Sequence, residues 1–279
     1  MSNLFITIPH VTPALEIDCE DEEVCLYLYN MFHPFVGDVP LEKVYKRLSF
    51  YRDNMGNWSV DDGQGFKRRI VNVISFIETF LLRCAYTDKG YLMLHGGAVS
   101  VKNKAYAFLA DSGVGKSTTV SYLTMRGFEY ITDDRILVNV QNLEVIPFTK
   151  PITLRPGTAE FLSTQYGTSL AVVPLSGSQR DLFIPEKSCN STPLLSKVFI
   201  LQRQDKMSLV SKQLSGGQCV QHLIRYALNL KNCAAFKEFF ALSRVDMFLL
   251  QYSDLNELLV YLQKATDGFE ADYERCDEN

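Results

Sequence analysis

The residues of this chain that could do chemistry are concentrated in one loop and in two short segments beside it. The loop runs Ala-Asp-Ser-Gly-Val-Gly-Lys-Ser from Ala110 to Ser117. It matches the phosphate-loop pattern of Ala or Gly, any four residues, Gly-Lys, and Ser or Thr. Glycines at these positions permit backbone angles that turn successive N–H groups inward and form a nest for phosphate oxygens. The pattern therefore predicts a site for a nucleotide phosphate chain.

Each member of the loop has a predicted part in holding ATP and Mg²⁺. Lys116 would neutralise charge between the β- and γ-phosphates, Ser117 would offer its hydroxyl to Mg²⁺, and Thr118 would bind a neighbouring phosphate. The other residues predicted to contact the nucleotide are Asp111, Ser112, Gly113, Val114 and Gly115. A predicted strand precedes the loop and a predicted helix follows it, which disfavours the alternative of a Gly-rich turn that merely begins a helix.

Two adjacent carboxylates, Asp133 and Asp134, follow a predicted strand at residues 128–132. In an α/β layout this strand would pack beside the strand that feeds the phosphate loop, and both would end at the same edge of the sheet. One carboxylate could then hold Mg²⁺ while the other accepts a proton from an attacking hydroxyl. The alternative is an acidic β-turn paired with Arg135.

His95 lies in Leu-His-Gly-Gly-Ala, at the centre of an otherwise apolar predicted strand. A lone histidine in a strand is more often structural than catalytic, but two adjacent glycines let another backbone or a ligand approach closely. Lys150 and Arg155 flank a short apolar stretch and could reach phosphate, although ordinary solvated charges explain them equally well.

The composition is that of a globular protein and excludes several classes of function. Of 279 residues, 47% are apolar and 22% are charged. The net charge of -4, from 28 basic and 32 acidic residues, gives no basic field for nucleic acid. We expect no membrane span, because no run of about 18 apolar residues occurs. The N-terminus lacks an export signal and the 7 cysteines form no C-x-x-C pair, which favours a cytoplasmic protein with reduced, buried thiols.

Hydrophobic patterns divide the chain into a smaller N-terminal α+β unit, residues 1–88, and a main α/β domain, residues 89–279. The first unit is predicted to contain strands at 4–8 and 45–51, a turn at 61–65, and a long helix from Lys67 to near Tyr86.

The main domain is predicted to begin with a hairpin, strands 91–101 and 105–109, that leads into the phosphate loop. Further strands are predicted at 128–132, 136–140, 143–148, 197–202 and 247–251, and helices at 116–125, 219–229, 235–242 and 254–265. The segment 163–195 is rich in Ser, Thr, Gly and Pro and is predicted to be a mobile surface segment. The acidic tail, 267–279, is predicted to fray.

The segment from Leu94 to Leu137 resembles the bacterial HPr kinase/phosphorylase family. The shared features are a histidine in the upstream strand, the run Asp-Ser-Gly-Val-Gly-Lys-Ser, and a strand that ends in Asp-Asp-Arg. The later strand at 197–203 also resembles the broader HPr-kinase-like group, which includes kinases that phosphorylate a serine of a peptide.

This resemblance implies a P-loop domain folded like the catalytic domain of phosphoenolpyruvate carboxykinase, the type of the HPr kinase C-terminal domain. It implies that Asp133 is the acid/base on the substrate hydroxyl, with His95 near it and Lys116 on the phosphates. It also implies that Ser117 serves Mg²⁺. Asp134, the other carboxylate of the pair, is then the one predicted to hold Mg²⁺. Relatives often form hexamers, so a homo-oligomer is compatible with it.

Two departures point to a specialised relative rather than an enzyme that acts on HPr. Thr118 stands where HPr kinases usually have Glu, and the downstream signature rich in glycine and asparagine is not found. The expected function is an ATP- and Mg²⁺-dependent kinase acting on a serine-type hydroxyl of a peptide or small protein. The alternative is a nucleotide-gated regulatory module with slow ATP or GTP hydrolysis.

Overall fold

The computed structural model describes residues 4–6, 14–19, 21–37, 45–71, 73, 76–80, 90–167, 170, 172–174, 180–230, 240, 242 and 245–266. These residues fall into two compact units, one up to residue 80 and one from Gly90 onward. Both units contain helices and sheets, so the chain is a mixed α/β protein.

The first unit is built on a six-stranded sheet in the order β3-β1-β2-β4-β5-β6. Its strands are β1 (Leu4–Ile6), β2 (Ala14–Cys19), β3 (Val36–Gly37), β4 (Tyr45–Arg52), β5 (Trp58–Asp61) and β6 (Lys67–Arg69). Helix α1 (Glu22–Phe32), followed by a 3-10 turn (His33–Phe35), was not predicted. It begins at Asp21, whose carboxylate accepts hydrogen bonds from two backbone N–H groups of the first turn.

The predicted long helix from residue 67 is wrong at its start, because Lys67–Arg69 forms β6 and pairs antiparallel with β5. The turn between the two strands is fixed by Asp62, whose Oδ1 accepts hydrogen bonds of 2.9 Å from the N–H groups of Gln64 and Phe66. This turn folds the chain back, so the three basic side chains extend from an edge strand into solvent. Residues 73 and 76–80 are helical, and the rest of the predicted helix beyond Val71 lies outside the described residues.

The second unit contains an eight-stranded sheet in the order β11-β10-β7-β8-β15-β17-β16, with β9 paired to β7 off this path. Its strands are β7 (Tyr91–Val101), β8 (Lys104–Leu109), β9 (Glu129–Thr132), β10 (Arg135–Asn139), β11 (Val145–Ile146), β15 (Leu194–Arg203), β16 (Val210–Gln213) and β17 (Asp246–Tyr252). The predicted hairpin of β7 and β8 is confirmed, and its turn uses positive φ angles at Lys102 and Asn103.

Alternation along β8 shows that this sheet is buried on both faces. Ala105, Ala107 and Leu109 belong to one apolar core, whereas Tyr106 and Phe108 belong to the other. Helix α4 (Gly216–Tyr226) packs its buried residues into the first core. Helices α2 (Lys116–Met125) and α5 (Leu255–Ala265) pack theirs into the second. The predicted helices at these three places are confirmed, with boundaries shifted by a few residues.

Asp133 and Asp134, called the acid pair below, follow strand β9. This strand lies in a different place in the sheet from the one predicted. β9 pairs with β7, whereas β8 pairs with β7 and β15. Strands β8 and β9 both run antiparallel to β7, and their ends lie opposite neighbouring residues of it, Gly96 for Leu109 and Ala98 for Thr132. The phosphate loop and the acid pair therefore meet across β7 at one edge of the sheet, the edge that the sequence predicted.

A small three-stranded sheet, in the order β12-β14-β13, lies within the same unit. It consists of β12 (Ile152–Leu154), β13 (Val172–Pro174) and β14 (Asp181–Phe183), and helix α3 (Thr158–Tyr166) lies between β12 and β13 in the chain. The predicted mobile segment 163–195 thus contains regular structure in its described residues, because its strands pair with one another and with β12.

Three further sequence predictions concern residues that are described only in part. Of the predicted helix 235–242 the structure describes residues 240 and 242, both helical, and the tail 267–279 lies outside the described residues. Cys19, Cys25, Cys189 and Cys219 are free, and all but Cys25 are buried. In the part of the chain that the structure describes, no helix is long and apolar enough to cross a membrane.

Candidate active site

The loop from Ala110 to Gly115 has the backbone geometry of an anion nest. Gly113 and Gly115 have φ angles of 91° and 108°, in the left-handed region that favours glycine. Gly115 is also the N-cap of α2, and no side chain caps the first N–H groups of this helix. Since a helix N-terminus carries partial positive charge, these uncapped groups are suited to phosphate oxygens.

Lys116 is buried at the first position of α2, and its ammonium group is held at two points. Nζ donates a 2.8 Å hydrogen bond to the carbonyl oxygen of Ala110 and lies 3.2 Å from Nε2 of His95. Burial lowers the pKa of Lys116, and the positive charge of Arg155 lowers it further, whereas the carboxylates of Asp133 and Asp134 act in the opposite direction. The ammonium group is therefore fixed at the loop, close to the acid pair.

Asp133 is 4% exposed and lies directly beside the loop. Its Oδ2 accepts a 3.0 Å hydrogen bond from the hydroxyl of Ser117, while its Oδ1 is buried without a hydrogen-bond partner. Burial raises the pKa of Asp133, and the repulsion of Asp134 adds to this, although the charges of Lys150 and Lys116 oppose the shift. A buried carboxylate with one unsatisfied oxygen is costly, so its presence points to a group that this oxygen binds during function.

Asp134 differs from its neighbour in exposure, in partner and in backbone. Its φ of 80° is positive, and its Oδ1 lies 3.0 Å from Nδ1 of His95. Burial alone would raise the pKa of Asp134, but the hydrogen bond from His95 and the charges of Lys150 and Arg135 outweigh it and lower this pKa to about 2. Asp134 is thus ionised at any physiological pH, and the two adjacent carboxyl groups have pKa values shifted in opposite directions.

His95 joins the acid pair to the lysine of the phosphate loop. Nδ1 faces the carboxylate and the carbonyl oxygen of Asp134, and Nε2 faces the ammonium group of Lys116. A neutral imidazole satisfies both contacts when Nδ1 carries the proton, because Nε2 then accepts from the ammonium group. This position between two predicted site residues favours the functional interpretation of His95, and its role remains a prediction.

The two glycines after His95 permit close approach by protein atoms. A Cβ on Gly96 would lie 2.6 Å from the backbone oxygen of Phe108, and one on Gly97 would lie 2.6 Å from Cγ2 of Val120. The same Gly97 position is 3.5 Å from Oδ1 of Asp133. Because Gly96 and Gly97 have no side chains, the hairpin, α2 and the acid pair can pack closely at this point.

The carboxylate of Asp111 is held by two side chains of α4. It receives a 2.5 Å hydrogen bond from Arg225 and a 3.2 Å hydrogen bond from the hydroxyl of Tyr226. The ring of Tyr226 stacks on His222. Sequence reasoning missed these partners, because more than 100 residues separate them from the loop.

Lys150 and Arg155, which the sequence left open, both lie at the site. Lys150 is 4% exposed, so it is not an ordinary solvated charge, and its charge acts on both carboxylates of the acid pair. Arg155 is exposed, with Nη1 3.6 Å from the position of a Cβ on Gly113. Burial of position 150 was not readable from the sequence, since it depends on the pairing of Phe148 beside β9 and on the hydrogen bond from the Tyr130 hydroxyl to the carbonyl oxygen of Lys150.

The remaining predicted site residues lie on the same loop and the first turn of α2. Ser112 and Gly113 are exposed, whereas Val114, Ser117 and Thr118 are partly buried. Among the described residues, no group of 3 or more His, Cys, Asp or Glu side chains could hold a metal ion. The donors here instead fit Mg²⁺, which takes one or two carboxylates together with a hydroxyl and substrate phosphates.

The known proteins to which this chain is similar are HPr kinases, and the sequence match covers little more than a third of the chain. No family model matches the chain. The HPr kinase/phosphorylase of Limosilactobacillus reuteri, from two strains, is 32% identical over 109 residues, which are 37% of this chain and 32% of the relative. The curated match supports an HPr-kinase-like family. The chain thus spans about a third of the length of the curated HPr kinases that it matches.

Among solved structures, this chain is matched to the Hpr(Ser) kinase/phosphatase from Coxiella burnetii. This match has 13% sequence identity and covers 62% of this chain and 97% of that one, with a TM-score of 0.26. That score is too low to establish a common fold.

Proposed function

We propose that this chain is an ATP- and Mg²⁺-dependent kinase that transfers a phosphoryl group to a serine-type hydroxyl of a peptide or small protein. The observation that carries the proposal is the contact between the phosphate loop and the acid pair. The hydroxyl of Ser117 donates to Asp133, and His95 links Asp134 to Lys116. A loop that only began a helix would have no need of these contacts.

The loop, the helix terminus and Lys116 would bind the triphosphate. Phosphoryl transfer has a loose transition state, so its catalysis relies on positioning and on neutralising charge. The ammonium group of Lys116 already lies over the loop, on the carbonyl oxygen of Ala110, and would exchange this contact for the β- and γ-phosphates. Mg²⁺, when bound, supplies further charge neutralisation, and Ser117 and Asp134 are the residues proposed to hold it.

Asp133 would take the proton of the attacking hydroxyl. The acceptor oxygen forms a bond to the terminal phosphorus, the bond from that phosphorus to ADP breaks, and the proton moves to Oδ1 of Asp133. This oxygen lacks a hydrogen-bond partner, and burial raises the pKa of the group. A carboxylate with a raised pKa is the better base at neutral pH. Asp134, with a pKa lowered to about 2, would keep its charge throughout.

The proposal extends to the fold, the acceptor, the location and the assembly. We infer a domain of the phosphoenolpyruvate-carboxykinase type from residue 89 onward, because a hairpin leads into the phosphate loop. The curated relatives are named for HPr, but Thr118 stands in place of the usual Glu. We therefore propose a different peptide or small protein as acceptor, in the cytoplasm, with a homo-oligomer compatible with the family.

The test is transfer of labelled phosphate from ATP to HPr and to an array of serine-containing peptides, in the presence of Mg²⁺. Affinity for a non-hydrolysable ATP analogue is measured in parallel for the parent chain, Lys116→Ala and Asp133→Asn. We expect Lys116→Ala to weaken nucleotide binding at least about tenfold, through loss of a charged contact. Asp133→Asn should retain binding and lose about 10²- to 10⁴-fold in transfer, the usual contribution of a general base.

Lys212→Ala is the matched control, because Lys212 is exposed on β16, three strands from β8. Transfer by Asp133→Asn at the parent rate would refute the role of Asp133. Release of free phosphate without any labelled acceptor would instead favour the nucleotide-gated regulatory module.

A further inference from the structure

Arg155 places a guanidinium group against the phosphate loop. It directly follows β12, and its Nη1 and Nη2 lie 3.6 and 3.9 Å from the position of a Cβ on Gly113. Within the described ranges, this guanidinium forms no hydrogen bond and no ion pair. The two distances to the Cβ position on Gly113 are ordinary van der Waals contacts, so the guanidinium lies directly over Gly113.

The carboxylates around the loop are already engaged by other residues. Asp111 accepts from Arg225 and Tyr226, and Asp134 is bound by His95. Asp133 is buried and accepts from Ser117. Among the residues that the structure describes, Arg155 therefore has no carboxylate partner, and its positive charge repels that of Lys116. An anion bound between the two cations would turn this repulsion into attraction.

The backbone that carries Arg155 is fixed in place. The N–H of Phe148 donates to the carbonyl oxygen of Ile131 at 2.9 Å, and the hydroxyl of Tyr130 donates to the carbonyl oxygen of Lys150 at 2.8 Å. On the other side, the carbonyl oxygen of Arg155 accepts from the N–H of Thr158 at 3.1 Å. The buried side chains of β12 anchor the strand between these points. Only the end of the arginine side chain has to move to reach a ligand, which is the property of a preorganised charge.

We propose that Arg155 is a catalytic residue that contacts the β/γ end of the phosphate chain, opposite Lys116. The lysine of such a loop serves the β- and γ-phosphates. The guanidinium of Arg155 lies over the same loop, so we assign it to the same end of the phosphate chain. It offers a planar fork of N–H donors that matches phosphate oxygens. This proposal rests on the proposed nucleotide site, but not on the identity of the acceptor.

The experiment compares Arg155→Ala and Arg155→Lys with the parent chain and with Lys212→Ala as control. Binding of the Mg²⁺ complex of AMPPNP and binding of AMP are measured by calorimetry, and kcat and KM for ATP are measured with any acceptor found. Arg155→Ala should weaken AMPPNP binding at least about tenfold, since a hydrogen bond to a charged group is lost. AMP binding should change less than twofold. We expect kcat to fall about 100-fold, as for removal of one donor to developing charge.

Arg155→Lys should restore part of the affinity, because it keeps the charge but not the fork. Melting temperatures within error of the parent would show that all variants are folded, as expected for an exposed side chain. If Arg155→Ala binds AMPPNP as well as Lys212→Ala does, the proposal is overturned, whatever the kinase activity. If the predicted losses in AMPPNP binding appear but no acceptor is phosphorylated, the assignment of Arg155 stands and the kinase proposal fails. A parent chain that binds no AMPPNP overturns both.

Discussion

Gly97 provides a sensitive test of how closely the phosphate-loop helix packs on β7. In Gly97→Ala, the new Cβ would lie 2.6 Å from Cγ2 of Val120, which is fully buried on α2. Ordinary contacts between carbon atoms are about 3.5–4.0 Å, so the two groups must separate by about 1 Å. Overpacking of this kind costs about 1–3 kcal/mol. For a unit of this size we expect the melting temperature to fall by about 2–12 °C.

A second substitution makes this expectation specific. Val120→Ala alone removes two buried methyl groups and should cost about 1–3 kcal/mol. In the double variant, the methyl group of residue 97 would occupy the space that Val120 leaves. The combined loss in free energy of unfolding should therefore be smaller than the sum of the two single losses, by at least about 1 kcal/mol.

The assay is urea unfolding of the full chain for the parent, both single variants and the double variant. Gly96→Ala is the contrasting case, because its Cβ would lie 2.6 Å from the backbone oxygen of Phe108 and no side-chain deletion can relieve that contact. Losses for Gly97→Ala and Val120→Ala that add within about 0.5 kcal/mol would show that the two positions are independent. The packing argument would then be wrong.

Three further predictions concern charge at the site. Burial raises the pKa of Asp133, so the folded state binds more protons than the unfolded state between the ordinary and the raised value, and stability falls as pH rises through that window. Asp133→Asn should therefore melt at a higher temperature than the parent at pH 7, and this difference in melting temperature should shrink toward about pH 3.9 and below. A difference that grows on acidification would contradict this. Lys150→Met removes a buried charge that acts on both Asp133 and Asp134. Thermal unfolding at pH 7 should show a loss of about 3–5 kcal/mol in the free energy of unfolding, most of which Lys150→Arg avoids. An unchanged stability would mean that Lys150 does not balance the acid pair. Arg225→Ala breaks a largely exposed ion pair with Asp111 and should cost less than about 1 kcal/mol by the same assay, so a larger loss would show that α4 and the loop depend on this contact.

Local patterns in the sequence were sufficient for the parts of the fold that depend on neighbours in the chain. The β7–β8 hairpin and the helix after the phosphate loop follow from alternation, from turn residues and from the glycines of the loop. Helix α1 was also readable, since Asp21 followed by two glutamates is a helix start signal. The predicted helix is wrong at Lys67–Arg69 for a local reason too, because these residues directly precede an apolar run but form an edge strand.

The parts that could not be predicted depend on pairings between distant segments. Nothing near Thr132 indicates that β9 lies on the side of β7 away from β8, since that choice follows from β15 occupying the other edge of β8. The same holds for Arg225, which reaches the loop from 114 residues away. The roles of Asp133, His95 and the loop residues remain predictions, although the structure brings these side chains into contact.

The turn at Asp134 restricts which side chains natural variation can use there. A φ of 80° belongs to a conformation that glycine adopts freely and that Asn and Asp adopt more readily than other residues. Glutamate would offer the same charge with one more methylene, but it would strain the backbone and lengthen the reach to Nδ1 of His95. Homologues of this chain should therefore carry only short polar residues or glycine at this position. In a survey of such sequences, glycine or an uncharged short residue would meet the backbone requirement without the carboxylate, so the two requirements could be told apart.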